Sequence, residues 1–173
     1  MTTDRQHRTT SAGDGDIVLR SHRVGDLGFV VHRHAVLYNA EYGFDAAFEA
    51  LVSRIAAEFL DTFDPATMWS GIAERDGAIV GSAFVVRVTP DVAKLRLVYV
   101  EPGMRGTGLG ERLVSAAMEF ARRAGYSRMT LWTQDILLPA RRLYARLGFA
   151  LISSNPAHDF GCDMVNEVWE RDL

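Results

Sequence analysis

The sequence predicts an α+β protein: a mixed, mostly antiparallel sheet of about seven strands with helices on both faces. Three observations predict it. Apolar periodicity runs in the order β, α, α, three strands, α, β, α, β, β, which is not the strict alternation of a parallel α/β fold. Asp76-Gly77 and Thr89-Pro90-Asp91 split residues 68–100 into three β-rich runs, the pattern of an antiparallel meander. A glycine-rich stretch, Arg105–Gly110, then opens directly into a strongly amphipathic helix.

The elements follow in order. "DIVLRSH" is short and β-rich and predicts a first strand. Leu27, Val30, Val31, Ala35 and Tyr38 recur at helical spacing, with Asp26 as N-cap and Gly43 as stop. Asp45 caps a second helix with Phe48, Leu51, Val52, Ile55 and Phe59 on one face, ended by Asp64-Pro65. After the meander, Leu109, Leu113, Ala116, Ala117, Phe120, Ala121 and Ala124 mark a third helix, closed by Gly125. "SRMTLWT" is a fifth strand. A short helix has Pro139 in its first turn and Gly148 beyond its last. "FALISS" and "VNEVWERDL" are the last two strands, with "HDFGCD" (158–163) as a loop between them.

The chain has 173 residues, nearly half of them apolar, enough for one sizeable core. The formal net charge of −3 disfavours a nucleic-acid binder that works through a basic face. No apolar run has the roughly 20 residues of a membrane span. Residues 1–16 are polar and aperiodic, which predicts a disordered tail ahead of a single domain over 17–173. The tail lacks the apolar centre of a secretory signal, so a cytoplasmic location is expected. The single Cys162 excludes an internal disulfide and a cysteine-based zinc site. His32 and His34, two apart, cannot share a helix face, and no metal is expected.

The glycine-rich stretch is built to hold phosphate. Gly106, Gly108 and Gly110 let backbone N–H groups approach an anion, the following helix aims its positive end there, and Arg105 adds charge. A P-loop is excluded because no Lys-Ser or Lys-Thr follows. A dinucleotide fingerprint is excluded because the third glycine is misplaced and the unit comes late in the sheet.

"VYVEPGMRGTGLG", followed by a helix, a strand and "PARRLYARLGF", resembles the GCN5-related N-acetyltransferase (GNAT) family. Arg105, Gly108 and Gly110 match its [QR]-x-x-G-x-[GA] pyrophosphate pattern, and Tyr144, Gly148 and Phe149 match its Y-x-x-x-G-F signature. The resemblance is strong over residues 65–155. "HRHAVLYNAEYGFDAAFEALV" and "HDFGCDMVNEVWERDL" are further similar to the acetyltransferase half of bacterial proteins that fuse a MarR-type winged helix to such a domain.

The resemblance implies acetyl-CoA as cosubstrate and an amine, small-molecule or protein, as acceptor. It implies that Val98, Tyr99 and Val100 meet the pantetheine and thioester, the N–H of Val100 or a neighbour polarising the carbonyl. It implies that Arg105, Gly106, Thr107, Gly108, Leu109, Gly110 and Glu111 wrap the pyrophosphate, and that Tyr144 protonates the departing thiolate. Leu137 stands where the family often has Asn. Glu101, Glu74 and Glu41 are candidate bases, and Tyr42, Asp45, Trp132 and Asp135 are candidate cleft residues. Homodimers are common in that family. A non-catalytic acyl-CoA sensor is the alternative reading.

Overall fold

A computed structural model describes residues 16–173. The expected tail lies outside the described residues except for Asp16. The elements are β1 (Val18–Arg20), α1 (Asp26–Tyr42), α2 (Ala46–Thr62), β2 (Trp69–Arg75), β3 (Ala78–Arg87), β4 (Val92–Val100), a 3₁₀ turn at Pro102–Met104, α3 (Leu109–Arg123), β5 (Arg128–Gln134), α4 (Leu138–Arg146), β6 (Ala150–Asp159) and β7 (Cys162–Asp172). The strands form one seven-stranded sheet in the order β1-β2-β3-β4-β5-β7-β6. β4 and β5 pair in parallel and the other neighbours antiparallel, the predicted mixed sheet.

Alternation along the strands feeds two cores, one per face. Leu113, Val114 and Ala117 of α3 pack with Met129, Leu131 and Trp169. On the opposite face Val30, Phe48 and Phe59 of α1 and α2 pack with Ile72 and Phe84. The β2–β3 hairpin turns on Asp76 and Gly77, both at positive φ (51° and 78°), as that dipeptide predicts.

Two local expectations are corrected. Asp26 is not the N-cap of α1: Gly25, at φ 96°, holds that position, and Asp26 is the first helical residue. Its buried carboxylate instead accepts from the Arg20 guanidinium (2.5 Å) and the Arg23 N–H (2.7 Å). An arginine brought in from β1 outcompetes the local capping bond. The 158–163 loop is instead a tight hairpin, in which His158 pairs with Asp163 and Asp159 with Cys162. Phe160 (φ 55°) and Gly161 (φ 77°) form its two-residue turn. Phenylalanine is a poor turn former, but its ring packs 5.2 Å from both Phe44 and Phe48, so tertiary burial fixes the turn.

The feature that positions the site lies at mid-sheet. β4 and β5 pair at only three positions, Val92↔Arg128, Ala93↔Met129 and Lys94↔Thr130, and then part. A bulge in β4 follows: the register against β3 shifts between Ser82↔Tyr99 and Phe84↔Arg96, and Leu97 takes a positive φ of 49°. Buried Ser82 secures it, its hydroxyl donating to the Leu97 carbonyl at 2.7 Å.

Candidate active site

The parting of β4 from β5 opens a cavity of about 640 Å³. α1 and α2 wall one side of it, and the start of α3 together with α4 wall the other. Of the predicted donor set, Val98, Tyr99, Val100, Arg105, Gly106, Gly108, Leu109, Gly110 and Glu111 line this cavity. Thr107 does not; its hydroxyl closes the turn by donating to the Met104 carbonyl at 2.7 Å. Tyr144, Glu41, Tyr42, Trp132 and Leu137 also line the cavity.

The backbone of Val100 faces the opening. The Glu101 N–H donates to the Val80 carbonyl (2.9 Å), so Glu101 points its polar groups at β3. Strand alternation then turns the N–H and C=O of Val100 the other way. The Val100 carbonyl accordingly meets Arg105 Nε at 3.4 Å rather than β3.

The glycine turn fits an anion. Gly106 (φ 76°) and Gly108 (φ 85°) are left-handed, and a Cβ added at either would meet nothing within 4 Å, so the turn leaves space at the N-terminus of α3. Gly110 is tighter: an added Cβ would lie 3.3 Å from Leu143 Cδ2 of α4. Arg105 is held by Glu41 of α1, at 2.6 and 3.0 Å. The Tyr99 hydroxyl, on the same cavity, is buried with no hydrogen-bond partner among the described residues. A diphosphate on the turn and an extended amide-bearing arm along the free edge of β4 suit these groups.

Tyr144 is buried, and burial pushes its phenol above the ordinary tyrosine value, with the neighbouring Tyr38 adding to the rise. It therefore keeps its proton at neutral pH. Its helix is anchored from β7 by Glu167, which is only 3% exposed and accepts from Arg141 Nε (3.0 Å) and Trp169 Nε1 (2.9 Å). Glu167→Leu is expected to cost about 3 kcal/mol, the low end for breaking a buried pair because Arg141 keeps partial access to water. A urea midpoint lowered at unchanged slope would register it.

The acidic candidates divide. Glu101 is absent from the cavity wall, and both its oxygens are taken by Arg33, at 2.6 and 2.7 Å. The geometry counts against Glu101 as the base, because the Arg33 guanidinium occupies both its oxygens and it does not face the cavity. Glu74 pairs with Arg20 at 2.6 Å away from the cavity. Asp45 caps α2 by accepting from the Ala47 N–H, and Asp135 accepts from the Val165 N–H; neither lines the cavity. His158 pairs with Asp163 at 2.6 Å on the exposed β6–β7 hairpin, also off the cavity wall. The Cys162 thiol contacts the Tyr42 carbonyl at 3.5 Å and is likewise outside.

His34 lies on the apolar stripe of α1, a position that suits a hydrogen-bonded core histidine or a cleft residue. It is buried on the cavity wall, its ring 5.7 Å from Tyr38 and 5.3 Å from Tyr99. Its Nδ1 lies 2.9 Å from the Val30 carbonyl. A carbonyl only accepts, so Nδ1 carries the proton and Nε2 the lone pair. Burial lowers its pKa to about 4. The folded protein therefore resists a proton that the unfolded chain takes up near pH 6.5. Stability should fall as pH drops from about 6.5 to about 4, by on the order of 3 kcal/mol. Denaturation curves at pH 7 and 4.5 check this: His34→Asn should flatten the dependence in that window.

A split sheet that exposes a strand edge beside a glycine turn at a helix N-terminus and a proton-bearing phenol has the make-up of a group-transfer site. The family model for the acetyltransferase (GNAT) family matches residues 32–149. An uncharacterized N-acetyltransferase of Schizosaccharomyces pombe is 32% identical over 113 residues, 65% of this chain and 69% of that one. A mycothiol acetyltransferase of Beutenbergia cavernae is 32% identical over 93 residues, 53% of this chain but only 31% of that protein. Among solved structures, a GNAT-family acetyltransferase of Staphylococcus aureus superposes with a TM-score of 0.74 at 18% identity, covering 91% of this chain and 99% of that one. One from Elizabethkingia anophelis with acetyl-CoA bound gives 0.63 at 14% identity, covering 91% and 98%. The chain belongs to the GNAT family of acetyltransferases.

Proposed function

We propose that residues 17–173 act as one acetyltransferase domain that moves an acetyl group from acetyl-CoA to a primary amine by direct attack in a ternary complex. The observation that carries this reading is the joining of three groups on one cavity: the glycine turn, the free edge of β4 and the Tyr144 phenol. Acetyl-CoA supplies a thioester whose carbonyl carbon the amine attacks. Gly106, Gly108 and Gly110 receive the pyrophosphate on backbone N–H groups, and Arg105 supplies the counter-charge. The Val100 N–H polarises the thioester carbonyl. Tyr144 donates its proton to the sulfur as the C–S bond breaks, the nitrogen that has formed the new C–N bond releases its proton to solvent, and solvent returns a proton to the phenolate. Leu137 meets the pantetheine arm by apolar contact where relatives often place Asn.

A second reading is an acyl-CoA sensor without turnover. It rests on the likeness of the α1–α2 segment to regulator-fused acetyltransferase halves. Thiol release from acetyl-CoA, followed with a panel of amines alongside equilibrium binding of acetyl-CoA, separates the two. Amine-dependent release supports transfer. Donor binding with no release for any amine supports the sensor and overturns transfer.

A further inference from the structure

Arg96 stands out among the arginines. Arg20, Arg33 and Arg141 each grip a carboxylate at 3.0 Å or less. Arg96 is only partly exposed, lines the cavity, and makes no hydrogen bond or ion pair among the described residues. Glu58 of α2 acts on it only through space, without a contact. Lys94, two residues earlier on the same face of β4, is likewise partly buried and without a hydrogen bond or ion pair among the described residues, with Arg96 as its charged neighbour, but it does not line the main cavity. Both residues border a second cavity of about 270 Å³ beneath α2, together with Arg87. Holding two like charges close together and partly out of water costs free energy unless an anion joins them.

Position says what that anion is attached to. Arg96 lies between the last β4–β5 pair at Lys94 and the bulge at Leu97, on the α2 side. The glycine turn lies past the other end of the strand, beyond Val100. The donor phosphates and this cation therefore occupy opposite ends of the site. The main-cavity wall on the α2 side is apolar, Leu51, Val52 and Ile55, while Glu58 of α2 borders the second cavity.

Resting on the acetyl-transfer reading, we infer that Arg96, backed by Lys94, receives the carboxylate of the acceptor, and that the acceptor is an α-amino acid with an apolar side chain. An α-amino acid carries its amine on the carbon next to the carboxylate. A carboxylate held by Arg96 thus directs the amine past the bulge, along β4 toward the Val98–Val100 edge that takes the thioester. The apolar side chain then rests on Leu51, Val52 and Ile55.

The test measures thiol release from acetyl-CoA with L-leucine and L-phenylalanine, with their amides, and with phenethylamine. The free acids should exceed their amides in kcat/KM by about 100-fold, the effect of one desolvated charge pair. Arg96→Gln should remove that preference, chiefly through KM, while the affinity for acetyl-CoA stays within about twofold. Arg96→Lys should restore part of it. Since the variant deletes an unpaired charge, the ligand-free protein should melt no lower than wild type. Equal turnover of acids and amides, turnover confined to carboxyl-free amines, or an unchanged preference in Arg96→Gln would overturn the inference and leave acetyl transfer standing. Donor binding with no turnover of any amine would overturn both.

Discussion

Tyr144→Phe should lower kcat by about 10²- to 10⁴-fold, the range for loss of a positioned general acid. It should leave the affinity for acetyl-CoA within about twofold. The substitution keeps the ring, which packs edge-on to Phe149 at a centroid distance of 5.9 Å, so the fold of α4 is preserved. Burial keeps the phenol protonated well beyond neutral pH, so between pH 6 and 9 the rate should show no titration of this group. Steady-state kinetics with donor affinity measured by calorimetry checks both halves. Turnover that survives at the wild-type rate would remove Tyr144 from the chemistry.

Gly108→Val should act on the other end of the donor. At φ 85° a β-branched residue is strained, costing about 1–2 kcal/mol of stability. The larger effect falls on binding. The space in front of Gly108 is open, and a side chain there would fill the approach to the first N–H groups of α3. Losing one charge-assisted hydrogen bond should raise the KM for acetyl-CoA about 10- to 100-fold with kcat little changed. Gly103→Ala is the matched control: it is at ordinary φ, with nothing within 4 Å of an added Cβ, and should alter neither parameter.

What could be read from the sequence was what local physics determines. The period of α3, the Asp76-Gly77 turn and the Asp45 cap each depend on residues within a few positions, and each appears as expected. Two spaced patterns marked the glycine turn and Tyr144, and the fold brings both onto one cavity. The departures came from partners distant in sequence. Arg33 and Glu101 are 68 positions apart, and nothing in either neighbourhood announces that one cancels the other. Arg20 likewise draws Asp26 away from its cap. No local pattern in the sequence singles out Arg96. Its isolation is visible only once β5 has parted from β4 and α2 has closed over it.

The contact between Arg105 and Glu41 links the two sides of the cleft thermodynamically. One guanidinium cannot fully serve both the α1 carboxylate and a pyrophosphate, so the two anions compete. On the proposed reading, whatever the ion pair contributes is subtracted from donor affinity by linkage, and donor binding would return Glu41 to the α1 side of the cavity as an uncommitted carboxylate. The pair is partly exposed and worth at most about 1 kcal/mol, so the coupling is several-fold rather than absolute. In kinetic terms, a donor held as proposed would favour ordered addition, donor before amine, because its arrival frees a carboxylate on the α1 wall.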